Sequence, residues 1–123
     1  MFVKYNPNPD GLNVGDCTVR AICAATGESW ESVHKHLCDL SRAMCDMPSA
    51  DRVWWQFLRQ NGFSRRRVID QCPDCYTVAD FARDHPRGMY ILCPQGHVVC
   101  VINGDWLDTW DSGETVPIYY FMR

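Results

Sequence analysis

The chain has 123 residues with a formal net charge of -3, and 46% of its residues are hydrophobic. This length and composition predict one globular domain, residues 1–123, with a hydrophobic core of its own. The negative charge argues against a nucleic-acid or acidic-membrane binder, which would carry a basic surplus; we interpret the one basic run, Arg65-Arg66-Arg67, as a solvated edge. No apolar stretch approaches the ~20 residues that cross a bilayer. The N-terminus lacks the apolar region of a signal peptide, so we expect a cytoplasmic protein.

Helical patterns dominate the chain up to residue 85. Residues 1–15 are dense in Asn, Pro and Gly and are predicted to be irregular. Each helical segment that follows begins after a residue that favours the N-cap position and repeats its apolar residues at helical spacing. The segments run from Cys17 to Thr26 after Asp16, from Trp30 to Met44 after Ser29, from the cap Ser49 to Asn61-Gly62, and from Val78 to about His85 after Thr77.

From Met89 onward the pattern changes to that of β-strands. These segments are rich in β-branched and aromatic residues, and Asn103-Gly104 is a strong signal for a two-residue hairpin turn. The order of elements predicts an α+β fold in which N-terminal helices pack on a C-terminal antiparallel β-sheet. The predicted strands are Met89 to Cys93, His97 to Ile102, Trp106 to Trp110 and Val116 to Phe121, with a short edge strand between Phe63 and Ile69.

Two residues have the pattern of a thiol nucleophile and its base. Cys17 stands at the predicted start of a helix, where the helix dipole favours a thiolate and where its own backbone N–H is placed to donate to an oxyanion. His97 follows Gly96 at the start of a predicted strand, and the ordinary pKa of histidine lies near neutrality. The pair predicts nucleophilic catalysis by Cys17 with His97 as the base.

The alternation of side chains along the hairpin indicates a third residue. If Asn103 and Gly104 are the two turn residues, His97 and Asp108 lie on the same face of the hairpin, diagonal to one another. A three-residue turn would instead place Asp111 opposite His97, because a slip of one residue exchanges the two faces. The two-residue turn is the better match to Asn-Gly, so we expect Asp108 to orient His97 and Asp111 to cap the following turn.

The order of cysteine, histidine and carboxylate, with the cysteine on a helix and the other two on a hairpin, resembles that of the papain-like cysteine peptidases. Nearly the whole chain is similar to a group of small phage and prophage proteins described as papain-like cysteine proteases. The resemblance is carried by Tyr5-Asn6-Pro7-Asn8, Gly15-Asp16-Cys17-Thr18-Val19-Arg20-Ala21-Ile22, Gly96-His97-Val98-Val99 and Asp108-Thr109-Trp110-Asp111-Ser112.

This resemblance implies a papain-like fold, a catalytic triad of Cys17, His97 and Asp108, and a phage- or prophage-encoded protein in the cytoplasm of a bacterial host. Together with the residues, it predicts a cysteine hydrolase that cleaves a peptide, isopeptide or related amide bond of a peptide or protein substrate through a thioester. That scheme requires no metal and no organic cofactor.

The second oxyanion donor departs from the papain pattern. Papain-like enzymes place a Gln shortly before the cysteine, whereas the corresponding residue here is Gly11, and no Gln precedes Cys17. An Asn of the N-terminal segment is the alternative amide donor. Asn13 is the nearest in sequence, ahead of Asn8 and Asn6.

Two further interpretations remain open from the sequence. The missing Gln favours a catalytically inactive papain-like scaffold that binds a host or phage protein. The Cys72-Pro73-Asp74-Cys75 stretch has the spacing of half a zinc site, which would make the chain a zinc-stabilised interaction domain. A loop with two incidental thiols is the simpler reading, because no second Cys-x-x-Cys is present.

Overall fold

The computed structural model describes residues 1–69 and 75–123, and in these residues helices pack on one mixed sheet. In chain order the elements are β1 (Phe2–Lys4), α1 (Cys17–Thr26), α2 (Trp30–Met44), α3 (Asp51–Gln60), β2 (Ser64–Arg67), α4 (Val78–Asp84), β3 (Met89–Pro94), β4 (Val99–Ile102), β5 (Asp105–Asp108) and β6 (Pro117–Met122). The strands lie in the order β1-β5-β4-β3-β6-β2. The predicted α+β class is confirmed, and so is the short strand β2 at the sheet edge.

The prediction of a purely antiparallel sheet is wrong at β1, which runs parallel to β5 with Phe2 opposite Trp106. Residues 1–15 are therefore not wholly irregular. A strand of 3 residues is too short to show an alternating pattern in the sequence. Its position is set by long-range hydrogen bonds, including one of 2.8 Å from the backbone N–H of Tyr5 to the carbonyl oxygen of Asp108.

Most of the predicted helix ends are confirmed. The first helix begins at Cys17 and ends before Gly27, which adopts a left-handed φ of 76°. Ser29 and Thr77 cap α2 and α4 by accepting hydrogen bonds from backbone N–H groups. The predicted cap of α3 is wrong, because a turn closed by the hydrogen bond from the Ala50 N–H to the Met47 carbonyl places Ala50 at the N-cap position instead of Ser49.

The hairpin formed by β4 and β5 has the predicted register. Ile102 lies opposite Asp105, and the two turn residues between them, Asn103 and Gly104, have φ values of 49° and 85°. Positive φ at both positions is the geometry of a type I′ turn, which Asn-Gly favours. The strand predicted from His97 begins only at Val99, because the N–H of His97 donates to the carbonyl oxygen of Pro94 and closes the preceding turn.

Helices cover the sheet on both faces and bring α1 against its centre. On one face α1, α2 and α3 pack through residues such as Ile22, Leu37 and Leu58 onto Ile91 and Phe121. On the other face α4 packs through Val78 and Phe81 onto Leu92, Val99 and Val101. None of the described helices is long and apolar enough to cross a membrane. The first residue of α1, Cys17, consequently lies at one end of the sheet beside the loop between β3 and β4.

Candidate active site

A cleft of about 420 Å³ opens between the start of α1 and the loop that joins β3 to β4. Cys17 and Thr18 line it on the helix side, and Gln95 and His97 line it on the loop side. The ring of Trp110 lies against His97, with 5.0 Å between the two ring centroids. The structure therefore brings the two residues that the sequence singled out, Cys17 and His97, to the same cleft.

The carboxylate of Asp108 forms a hydrogen bond with the His97 ring. The distance from Nε2 of His97 to Oδ2 of Asp108 is 2.6 Å, and the Asp108 side chain is fully buried. Two further donors fix the carboxylate: the Ser112 hydroxyl donates to Oδ2 at 2.7 Å, and the Thr109 N–H donates to Oδ1 at 2.8 Å. Because Nε2 is engaged by Asp108, Nδ1 is the ring nitrogen left to exchange a proton with Cys17.

Asp111 has the structural role expected of it. Its Oδ1 accepts hydrogen bonds from the indole N–H of Trp106 at 2.8 Å and from the backbone N–H of Gly113 at 3.0 Å. These contacts organise the turn after β5. The two-residue hairpin turn thus places Asp108 at His97 and directs Asp111 away from it.

Arg20 is a site residue whose role the sequence did not reveal. Its guanidinium is buried and donates to Asp16 at 2.6 Å and to Asp108 at 2.9 Å. The indole N–H of Trp30 donates to the second oxygen of Asp16 at 2.9 Å. The spacing of Asp16 and Arg20 fits an ion pair across one helical turn, but the contact with Asp108 arises only when the hairpin packs on α1.

This network changes the role predicted for Asp16. The residue occupies the N-cap position of α1, but its two oxygens are directed to Arg20 and Trp30 and not to the first backbone N–H groups of the helix. The positive end of the helix dipole at Cys17 is therefore left without a carboxylate cap. Such an end favours an anion, either a thiolate or an oxyanion.

The pKa shifts of Cys17 and His97 favour a thiolate and an imidazolium. Burial acts to raise the pKa of Cys17, but the hydrogen bond with His97, the imidazolium charge, the Val98 N–H and the Arg20 charge together lower it. Burial acts to lower the pKa of His97, but hydrogen bonds and charges from Asp108 and Cys17 raise it to about 9. Despite burial, hydrogen bonds from His97 and Ser112 lower the pKa of Asp108.

Three other thiols behave in the opposite way. Burial raises the pKa of Cys23 to about 11 and that of Cys100 to about 12, and it also raises the pKa of Cys93. All three are free and buried in the core, as expected of small apolar side chains. Cys17 differs because it combines partial exposure with a cationic partner, which are the conditions for a reactive thiol.

The structure places Asn13, the predicted amide donor, outside the residues that line the cleft. Asn13 is exposed on the loop before α1, and the described residues that line the cleft do not include it. The amides of Asn6 and Asn8 hydrogen-bond within that same loop. Gln95, two residues before His97 in the sequence, lines the cleft and is the side-chain amide nearest in sequence to the base. The signal for Gln95 in the sequence is its closeness to His97.

The zinc interpretation depends on Cys72, which lies outside the described residues. Within residues 1–69 and 75–123, no group of three or more His, Cys, Asp or Glu side chains is arranged to hold a metal ion. The described site combines a thiol, an imidazole and a carboxylate with the buried guanidinium of Arg20.

Replacing Arg20 by Met should lower the free energy of unfolding by roughly 3–5 kcal/mol, because two buried carboxylates lose their cation. Urea unfolding measures the loss. Arg52→Met is the matched control, since Arg52 forms an exposed ion pair with Asp46 and its loss should cost about 0–1 kcal/mol. Equal losses in the two variants would contradict the role assigned to Arg20.

No family model matches the chain, and neither curated proteins nor solved structures show significant similarity to it.

Proposed function

We propose that the chain is a papain-like cysteine hydrolase that cleaves a peptide, isopeptide or related amide bond. The observation that carries this proposal is the position of His97, whose ring lies between the buried Asp108 carboxylate and the Cys17 thiol at the start of a helix. The opposite pKa shifts of Cys17 and His97 support it, because they favour the thiolate form of Cys17 near neutral pH.

In the acylation step the Cys17 thiolate attacks the carbonyl carbon of the substrate and forms a tetrahedral intermediate. In this scheme the backbone N–H of Cys17, at the start of α1, donates to the oxyanion. Protonated His97 then gives its Nδ1 proton to the leaving nitrogen, the carbon–nitrogen bond breaks, and an amine departs from a thioester on Cys17.

In the deacylation step neutral His97 takes a proton from water, and the resulting hydroxide attacks the thioester carbon. The carbon–sulfur bond breaks, the acid product leaves, and the Cys17 thiolate and the His97 imidazolium are restored. Asp108 keeps the ring in the orientation that both proton transfers need, because its Oδ2 lies 2.6 Å from Nε2.

Incubation of the native protein with a peptide library should produce new termini, and Cys17→Ala should reduce their rate of formation by about 10³-fold or more. Mass spectrometry of the products measures both. Cys38→Ala is the matched control, since Cys38 is also half-buried and its sulfur lies 3.8 Å from Nε2 of His34. Cleavage that survives Cys17→Ala would contradict the proposal. Intact peptides together with a reactive Cys17 would favour an inactive binding scaffold.

Asp108→Asn should lower the pKa of the His97 ring from about 9 by at least one unit, because a negative charge is lost while burial of the ring remains. Titration of the ring by nuclear magnetic resonance measures the shift. Asp111→Asn is an isosteric control, because an Asn oxygen still accepts from Trp106 and Gly113, and it should leave the His97 pKa unchanged. Equal pKa values in the two variants would exclude Asp108 as the partner of His97.

A further inference from the structure

Among the residues that the structure describes, the edge strand β2 pairs with a neighbouring strand on one side only, and two of its arginines direct their backbone groups to the other side. The N–H of Val68 donates to the carbonyl oxygen of Ile118 at 3.2 Å, so residues 64, 66 and 68 are the positions that hydrogen-bond to β6. Because the pattern alternates along an antiparallel strand, the N–H and C=O groups of Arg65 and Arg67 point outward from the sheet. A strand edge of this kind is able to accept another extended chain.

The side chains of the same two residues form a basic surface. Arg65 and Arg67 lie opposite Phe121 and Tyr119 and share their face of the sheet, the face on which α1 and α3 pack. The guanidinium of Arg65 lies over the ring of Trp55, 4.3 Å from its centroid, which holds it in place. No carboxylate of residues 1–69 or 75–123 forms an ion pair with Arg65, Arg66 or Arg67.

A groove beside this basic surface leads to the active-site cleft. The three arginines line a groove of about 370 Å³ together with Ile118 and Tyr119, and these last two residues also line the cleft that contains Cys17 and His97. Arg67, Tyr119 and Cys93 lie opposite one another on three adjacent strands. Two interstrand spacings, about 10 Å, therefore separate Arg67 from the strand that leads into the His97 loop.

We propose that the substrate presents an extended acidic segment that adds to the outer edge of β2 and leads the scissile amide into the cleft. The backbones of Arg65 and Arg67 hydrogen-bond to that segment, and their guanidiniums pair with its Asp or Glu side chains. The inference rests on the proposed hydrolase function for the bond that is cut, but not for the binding itself. The three arginines would repel the same edge of a second copy, and the overall charge of -3 disfavours nucleic acid.

Binding is tested with the Cys17→Ala protein and a fluorescent peptide of alternating Glu and Gly, compared with the same peptide carrying Gln in place of Glu. Fluorescence anisotropy should show binding of the Glu peptide that is about tenfold or more tighter. Arg67→Glu should abolish this preference. Arg87→Glu makes the same charge change at an exposed residue just before β3 begins, and this variant should retain the preference for the Glu peptide.

Protection of the nucleophile tests whether the groove leads to the cleft. In the native protein the Glu peptide should slow alkylation of Cys17 by iodoacetamide, and the Gln peptide should not. Binding without protection, or equal binding of both peptides, would overturn the inference, and so would an Arg67-dependent affinity for oligothymidylate as high as that for the Glu peptide. Selective binding and protection without any peptide hydrolysis would retain the inference and refute the hydrolase.

Discussion

The buried carboxylate of Asp108 joins the first helix to the β4–β5 hairpin, because Arg20 and His97 both donate hydrogen bonds to it. A fully buried carboxylate is stable only with such partners, and Ser112 and the Thr109 N–H complete its set. The same contacts that satisfy this charge therefore fix the position of the imidazole relative to Cys17. One hydrogen-bonded network of buried polar side chains therefore contributes both to the stability of the fold and to the geometry of the site.

The reactivity proposed for Cys17 follows from the positions of the charged groups in that network. Asp16 would normally cap α1, but Arg20 and Trp30 take its oxygens, so the helix start stays open to an anion at Cys17. His97 supplies a positive charge on the other side of the thiol, because Asp108 favours the imidazolium. The thiols of Cys23, Cys93 and Cys100 lack this arrangement, and burial is the largest cause that raises their pKa values. Location, not the number of cysteines, selects Cys17.

Local signals in the sequence predicted much of what positions the site. The start of α1 and the hairpin register followed from a helix pattern and from Asn103-Gly104, and the register brought Asp108 to His97. Features set by long-range packing were missed. β1 is too short to show a pattern, and Arg20 reaches Asp108 across 88 positions of sequence. Asn13 as an oxyanion donor stays a prediction; the described residues that line the cleft include Gln95 but not Asn13.

The pH dependence of iodoacetamide alkylation, followed at each cysteine by peptide mass mapping, tests the central claim most directly. In the native protein Cys17 should react fastest near neutral pH, with a midpoint below the ordinary pKa range of a thiol, because His97 lowers its pKa. In His97→Ala that midpoint should rise, since burial still disfavours the thiolate, and the rate at neutral pH should fall by about tenfold or more. A Cys17 that reacts no faster than the other thiols, or a profile that His97→Ala leaves unchanged, would contradict the account.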